Sequence, residues 1–242
     1  LLRDTLRHLS TFCYKIIISD DGSTDDTFKV CSAFDKVEYQ KRPPRDHGDR
    51  QGALQRQELL TAAYKYDPDY FFFLDADEMP STDIVEWINS LGSRHEEKTN
   101  LWTFPWVHLW GDDKHYRVDT YTARNGSNIH WDPFTTEYRK GVFVRNIPGY
   151  ELKYDVTQHR VRPSNQPFNV PEPWVDVQEA PVIIHYGKIS KYFTSEQNWR
   201  DRAAWDKYQR GANELHTLLH HKISNAEDTL ELKEIKQEWM WE

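Results

Sequence analysis

The run YFFFL at residues 70–74 is an unbroken block of large apolar side chains that ends directly on the carboxylates Asp75, Asp77 and Glu78. A short continuous apolar run bounded by polar segments reads as a strand buried on both faces, as in parallel sheets covered by helices. The pattern occurs twice. YKIIIS at 14–19 leads into Asp20, Asp21 and the polar stretch DDGSTDDT at 20–27. Two buried strands that each stop on carboxylates restrict the chain to folds in which neighbouring strand ends meet at one edge.

The segments between them carry a helical period. Leu2, Leu6 and Leu9 share one helical face. Ser23 and Asp26 have capping-box spacing ahead of a helix whose apolar contacts are Phe28, Val30, Cys31 and Phe34. KVEYQ at 36–40 reads as a third element, and RPPRDHGDRQG at 42–52 as a polar loop. Helix signals resume at Gly52, with Leu59, Leu60, Ala63 and Tyr64 on the apolar side and Pro68 as the stop. Ser81 is placed to cap a helix carrying Ile84, Val85, Ile88 and Leu91. Strand, helix, strand, helix with continuous apolar strands predicts an α/β fold with a Rossmann-like, mainly parallel central sheet flanked by helices.

Charge and cysteine usage exclude several functions. Thirty-one basic against 39 acidic residues give a formal charge of −8, and no Lys/Arg block offers a footprint for a phosphate backbone, so no nucleic-acid partner is expected. Cys13 and Cys31 are too few for a disulfide framework, and a reducing, cytoplasmic setting is expected. No apolar run approaches the roughly 20 residues of a membrane span, and LLRDTLRHLS lacks the apolar core of a signal peptide; a soluble chain is expected.

In open parallel sheets ligands bind beyond the carboxyl ends of the strands, which is where Asp20/Asp21 and Asp75/Asp77 fall. Carboxylates gathered there repel one another unless a cation joins them, and hard oxygen donors one residue apart suit Mg²⁺ or Mn²⁺ that also holds a diphosphate. The competing explanation is that acidic residues after strands cap the following helices. For DDGSTDDT alone the two are evenly balanced, and the second cluster tips the reading towards a metal.

IIISDDGSTDDT followed by YFFFLDADE resembles the nucleotide-sugar-binding half of the family 2 glycosyltransferases, which have the GT-A fold. The DAD triplet is similar to that family's Asp-any-Asp motif, and GALQRQELLTAA at 52–63 to its arginine-bearing helix. The resemblance implies that Asp21 accepts from the nucleotide base, that Arg56 lies near base or diphosphate, that Asp75 faces the ribose, and that Asp77 binds Mn²⁺ or Mg²⁺. Family members open with a strand that helps to grip the nucleotide, whereas this sequence begins at the helix after it; either that strand is missing here or the site is incomplete.

After residue 100 the resemblance is carried by LWTFPWVHLW, YRVD at 116–119, HRVRP at 159–163 and PVIIHYGK at 181–188. PVIIHYG reads as a strand delivering His185 to its end, where many GT-A enzymes place a further metal ligand; a structural histidine is the alternative. Transfer passes through an oxocarbenium-like transition state, and an inverting enzyme needs a base for the attacking hydroxyl. Asp119 is the first candidate and His159 the second, with Asp132, Glu137 and Asp155 still open. Arg160, Arg162 and Lys188 could meet diphosphate or an anionic acceptor, but exposure alone explains them as well. Of Trp102, Trp106, Trp110, Trp131 and Trp174, core packing explains most, and Trp106 and Trp110 are the pair expected to line an acceptor groove. They flank HLWGDDKH, a possible flap.

SEQNWRDRAAWDKYQRG, NELHTLLHHK and LELKEIKQEWMWE read as C-terminal helices, with Trp239, Met240 and Trp241 either packed on the protein itself or free for a partner or peripheral membrane contact. The organisation expected is a single domain over 1–242: a nucleotide-sugar-binding half at 1–100, an acceptor half at 101–193 and C-terminal helices at 194–242. The implied activity is metal-dependent, inverting transfer of a hexosyl or deoxyhexosyl group from a nucleoside-diphosphate sugar, with UDP the favoured carrier, to a glycan or glycoconjugate hydroxyl. A non-catalytic nucleotide-sugar or glycan-binding module with a degenerate site is the rival. A haloacid dehalogenase-type phosphatase fits poorly at Glu78 and Met79. An EF-hand fails because Gly22 comes too early and no Glu closes the loop.

Overall fold

The computed structural model of the protein describes residues 1–43, 49–91, 101–110, 112–118, 120–122, 128–135, 139–146, 152–155, 160–163, 174–178, 180–187 and 231–240. The first apolar run forms β1 (Ile16–Asp20), which pairs in parallel with β2 (Val37–Lys41) from Ile16 opposite Val37 to Asp20 opposite Lys41. Helix α1 (Leu2–Phe12) lays Leu6 and Leu9 on Ile16 and Cys31, so the leucines of one predicted face form that core cluster. Helix α2 (Thr27–Cys31) is a single short turn.

Helix α3 (Asp49–Ala63) buries Leu60 completely against Phe71, Leu101, Val144 and Leu152. The second apolar run supplies β3 (Tyr70–Phe72), and the chain then turns through Asp75 into β4 (Glu78–Pro80) and α4 (Ile84–Ser90). The spine of the molecule is β5 (Leu101–His108), which pairs antiparallel with β9 (Arg139–Arg145) on one side. Its other edge is shared in parallel by β12 (Trp174–Asp176) at Leu101–Thr103 and by β13 (Ile183–His185) at Trp106–His108. With β3 beyond β9 and β4 beyond β13, these six strands form one sheet in the order β3-β9-β5-β13-β4, β12 lying off this path. Beside it, β7 (Thr120–Thr122) pairs antiparallel with β8 (Asn128–His130), and β10 (Leu152–Asp155) with β11 (Arg160–Pro163).

That sheet is mixed, which corrects the expectation of mainly parallel pairing. Within it β9 runs antiparallel to β3 and β5, and β4 antiparallel to β13. The apolar runs are continuous because helices and aromatic side chains cover both faces, and burial on both faces requires no common strand direction. Strand β5 shows the consequence of a period of two. Trp102, Phe104, Trp106 and His108 alternate along it, and the first two pack with Trp87 of α4 and Phe143. Val107 and Leu109 belong to the opposite cluster with Tyr116, Val118, Val182, Ile184 and Trp239.

Three local expectations are also corrected. Ser23 caps no helix: its N–H and hydroxyl both donate to Asp20, and α2 starts four residues later, behind Asp25, which accepts from Thr27. Ser81 likewise makes no direct cap; its hydroxyl donates to Asp83, at the N-cap of α4, and accepts from Val182 N–H at 2.8 Å. LELKE, read as helix, contains β14 (Leu232–Glu234), antiparallel to β6 (His115–Arg117). Helix propensity is a weak preference. Pairing with β6 satisfies backbone groups on both strands, and the following Trp239, 2% exposed, is anchored in the cluster under β13. The stretches read as helices at 195–222 lie outside the described residues.

Candidate functional site

The carboxylates at the end of β1 divide their work. Asp20 is buried and accepts from Ser23 N–H, the Ser23 hydroxyl and the Tyr39 hydroxyl. Burial opposes its ionisation, but these donors outweigh it and hold the carboxyl low, while the same contact pushes the Tyr39 phenol up to about 12. Gly22 sits between them at φ 89°, a left-handed conformation that favours glycine. Asp20 therefore braces the turn that presents Asp21, and Asp21 is left exposed with Gln55 Nε2 at 3.3 Å.

Helix α3 links the two acidic clusters through neighbouring residues. Gln55 reaches Ser19 Oγ at 2.9 Å as well as Asp21, and Arg56 forms an ion pair with Asp75. The turn 75–78 is closed from both ends: Asp75 N–H donates to Glu78 Oε2 at 2.8 Å, and Glu78 N–H donates to the Asp75 carbonyl at 3.1 Å. Lys140 on β9 completes the cluster. Its Nζ lies 2.7 Å from Asp75 Oδ2, 2.7 Å from Glu78 Oε1 and 4.7 Å from the centre of the Trp106 ring.

Electrostatics follow from this wiring. Burial would raise the Asp75 carboxyl, yet Lys140 and Arg56 together bring it down to about 2. Glu78 goes the other way, because it is fully buried and faces Asp75 while sharing Lys140. Lys140, desolvated but between two carboxylates, is held above its ordinary value.

Asp77 has a different partner. Its Oδ2 is 3.2 Å from His185 Nε2, and its carbonyl accepts from Tyr186 N–H at 2.8 Å. Burial resists ionisation of Asp77 and the His185 contact overrides it, so its carboxyl is also held low. His185 occupies the last position of β13, opposite Glu78 on one side and His108 on the other. His185 Nδ1 is 3.0 Å from His108 Nδ1. Gly187 leaves the space beside the pair open, since a Cβ there would stand 2.7 Å from Asp77 Oδ2 and 2.7 Å from His185 Cε1.

The donors Asp77 Oδ2 and His185 Nε2 suit a divalent cation. Two ligands at right angles, each about 2.1 Å from one octahedral ion, are separated by about 3 Å, close to the distance found. Among the described residues no group of three His, Cys, Asp or Glu side chains is arranged to hold a metal ion. The protein thus offers two donors, in keeping with cations that complete their shells with phosphate oxygens and water.

The tryptophans separate by role. Trp102 is core, 1% exposed, whereas Trp106 lies under Lys140 and beside His108 and His185. Trp110 and Trp131 each face the Arg117 guanidinium at 4.8 Å, so Trp110 stacks on a buried arginine at the hairpin after β5. Where it is described, HLWGDDKH is a hydrogen-bonded turn. Trp110 N–H donates to the His115 carbonyl at 2.9 Å, and Asp112 accepts from the N–H groups of Lys114 and His115. Asp119, His159, Glu137 and Lys188 lie outside the described residues, as do the side chains of Asp155, Arg160, Arg162 and Trp174. Asp132 pairs with Lys233 at 3.3 Å and accepts from Phe134 N–H at 3.0 Å.

Lys140, Glu78 as a buried partner, His108 and Gly187 escaped the sequence reading. His108 was accessible in principle, because the alternation along β5 puts it on the face of Trp106; Lys140 carries no local signal, since strand pairing alone brings it to Asp75.

The family model described as Glycosyl transferase family 2 matches residues 1–150, more than half of the 242 residues. The matched span includes both acidic clusters, Arg56, His108 and Lys140 and ends before His185. No match was found among curated proteins.

Proposed function

The chain belongs to glycosyl transferase family 2 and has its GT-A fold, and from that premise we propose that it is a metal-dependent, inverting glycosyltransferase. It moves a hexosyl or deoxyhexosyl group from a nucleoside-diphosphate sugar, UDP being the favoured carrier, to a hydroxyl of a glycan or glycoconjugate. The observation that carries this reading is the Asp77–His185 pair, 3.2 Å apart where the turn before β4 meets the last residue of β13, beside a cluster already neutralised by Lys140 and Arg56.

Asp77 and His185 would hold Mn²⁺ or Mg²⁺, which when bound supplies positive charge to the departing diphosphate. Asp21, exposed at the end of the braced turn, accepts from the base. Asp75 faces the ribose, kept ionised by Lys140 and Arg56, and Arg56 serves the base or the diphosphate. Asp119, or failing it His159, takes the proton from the attacking hydroxyl. Trp106 lends an apolar face to the acceptor side. The two free thiols, Cys13 and Cys31, support a cytoplasmic setting. No helix among the described residues is long and apolar enough to cross a membrane, and Trp239 is buried in the protein itself.

The test is turnover. Incubation with UDP-, GDP- and dTDP-sugars and Mn²⁺ should release one nucleoside diphosphate and pass labelled sugar to a glycan acceptor, with product of inverted anomeric configuration by NMR. Binding of a donor without hydrolysis or transfer across the panel supports the non-catalytic module instead.

A further inference from the structure

We propose that His108 is a positioning residue that sets the tautomer of His185 and thereby leaves the Nε2 lone pair of His185 available to the cation shared with Asp77. The inference rests on the metal assignment above and deepens it.

A neutral imidazole binds a cation only through the nitrogen that carries no hydrogen, and the hydrogen on the other nitrogen needs an acceptor. At His185 the two nitrogens face different partners: Nε2 faces Asp77 Oδ2 at 3.2 Å, and Nδ1 faces His108 Nδ1 at 3.0 Å. Two nitrogens at that separation share one hydrogen, so the pair has two arrangements. In the first, His108 Nδ1–H donates to His185 Nδ1, and His185 carries its own hydrogen on Nε2, directed at Asp77. In the second, His185 Nδ1–H donates to His108 Nδ1, His108 holds its hydrogen on Nε2, and His185 Nε2 is a bare lone pair. Each ring carries one hydrogen in both arrangements, so the exchange changes no net charge. Only the second admits a cation between Nε2 and Asp77.

His108 is built for this task. It is directly opposite His185 in the β5–β13 register, and Leu109 N–H donates to the His185 carbonyl at 3.1 Å, which fixes that register. The His108 ring is buried, 4.3 Å from the Trp106 ring and edge-on to Trp131 at 5.1 Å. A side chain locked by packing holds its acceptor atom in place, as an outer partner of a metal ligand must.

The experiment uses the whole chain labelled with ¹⁵N-histidine. Long-range ¹H–¹⁵N spectra read the tautomer of each ring with and without saturating Mg²⁺, and electron paramagnetic resonance gives Mn²⁺ affinity for wild type, H185A, H108L and H108N. The expected result is an Nδ1–H tautomer at His185 in the Mg²⁺ form. H108L should lose roughly 10- to 100-fold in Mn²⁺ affinity, the usual cost of removing such a partner, and H108N should recover most of it, because its amide oxygen accepts the same hydrogen. If H185A binds Mn²⁺ like wild type, the metal assignment itself falls. If H185A loses the ion but H108L keeps it, or H108N is as weak as H108L, or His185 stays Nε2–H with metal bound, the role of His108 is overturned and the metal assignment stands.

Discussion

Lys140 Nζ stands 2.7 Å from Glu78 Oε1, a carboxylate with no exposed surface, and the two residues come from different strands of the six-stranded sheet. Removing one partner of a buried ion pair strands the other charge. Lys140→Met should therefore cost about 3 kcal/mol in urea unfolding, the lower end of the usual range because Glu78 can take up a proton. Adding Glu78→Gln should restore part of that loss. A single-variant cost under about 1 kcal/mol would show that the pair contributes little.

Acid sensitivity should trace to Asp75. Its folded-state carboxyl is held down to about 2, against about 3.9 for an unfolded Asp, so its contribution is present above about pH 4 and is lost as pH falls from there towards 2. Asp75→Asn should flatten that limb of the stability curve relative to wild type. Glu78 works in the opposite sense: its raised folded value makes its ionisation a cost that grows as pH rises above the unfolded value. Equal acid limbs for wild type and Asp75→Asn would remove Asp75 from this role.

Gly187→Ala should be a binding variant more than a stability variant. The added Cβ would press on Asp77 Oδ2 and His185, and displacing two donors by a few tenths of an ångström should cost roughly tenfold or more in Mn²⁺ affinity. Calorimetric titration with Mn²⁺ checks this, and an unchanged affinity would mean that the Asp77–His185 gap is not the cation site.

Trp239 gives a test of packing at the other end of the chain. It is 2% exposed among Val107, Leu109, Tyr116, Val118, Val182 and Ile184, and its neighbours tie down Thr82, whose N–H donates to the Trp239 carbonyl at 3.3 Å. Trp239→Ala should cost about 3–5 kcal/mol in chemical unfolding and leave binding to anionic vesicles unchanged. Altered vesicle binding with intact stability would instead make this side chain a membrane contact.

Much of this was legible in the sequence because it is local. The apolar runs at 14–19 and 70–74 contain most of β1 (Ile16–Asp20) and all of β3 (Tyr70–Phe72), and the acidic residues that follow lie where Gln55 and Arg56 bridge the two clusters. What was not legible depends on pairing over long sequence distances. Lys140 meets Asp75 only because β9 lies between β3 and β5, and His108 meets His185 only through the β5–β13 register. LELKE has a helix-friendly composition, yet the partner it satisfies is β6, more than a hundred residues earlier. Ser23 misled for a different reason: a serine three residues before an acid fits a capping box, but the acid three residues before it, Asp20, claims both its donors.

The most direct test of the metal-dependent donor site is calorimetric titration of UDP into wild type and Asp77→Ala, each with and without Mn²⁺. UDP should bind wild type with Mn²⁺ and raise its stability by about 2.7 kcal/mol at a hundredfold excess over Kd, while wild type without Mn²⁺ and Asp77→Ala with it should show at least tenfold weaker binding. Tight UDP binding that is indifferent both to Mn²⁺ and to Asp77→Ala would contradict the assignment of Asp77 and His185 as the cation's protein ligands.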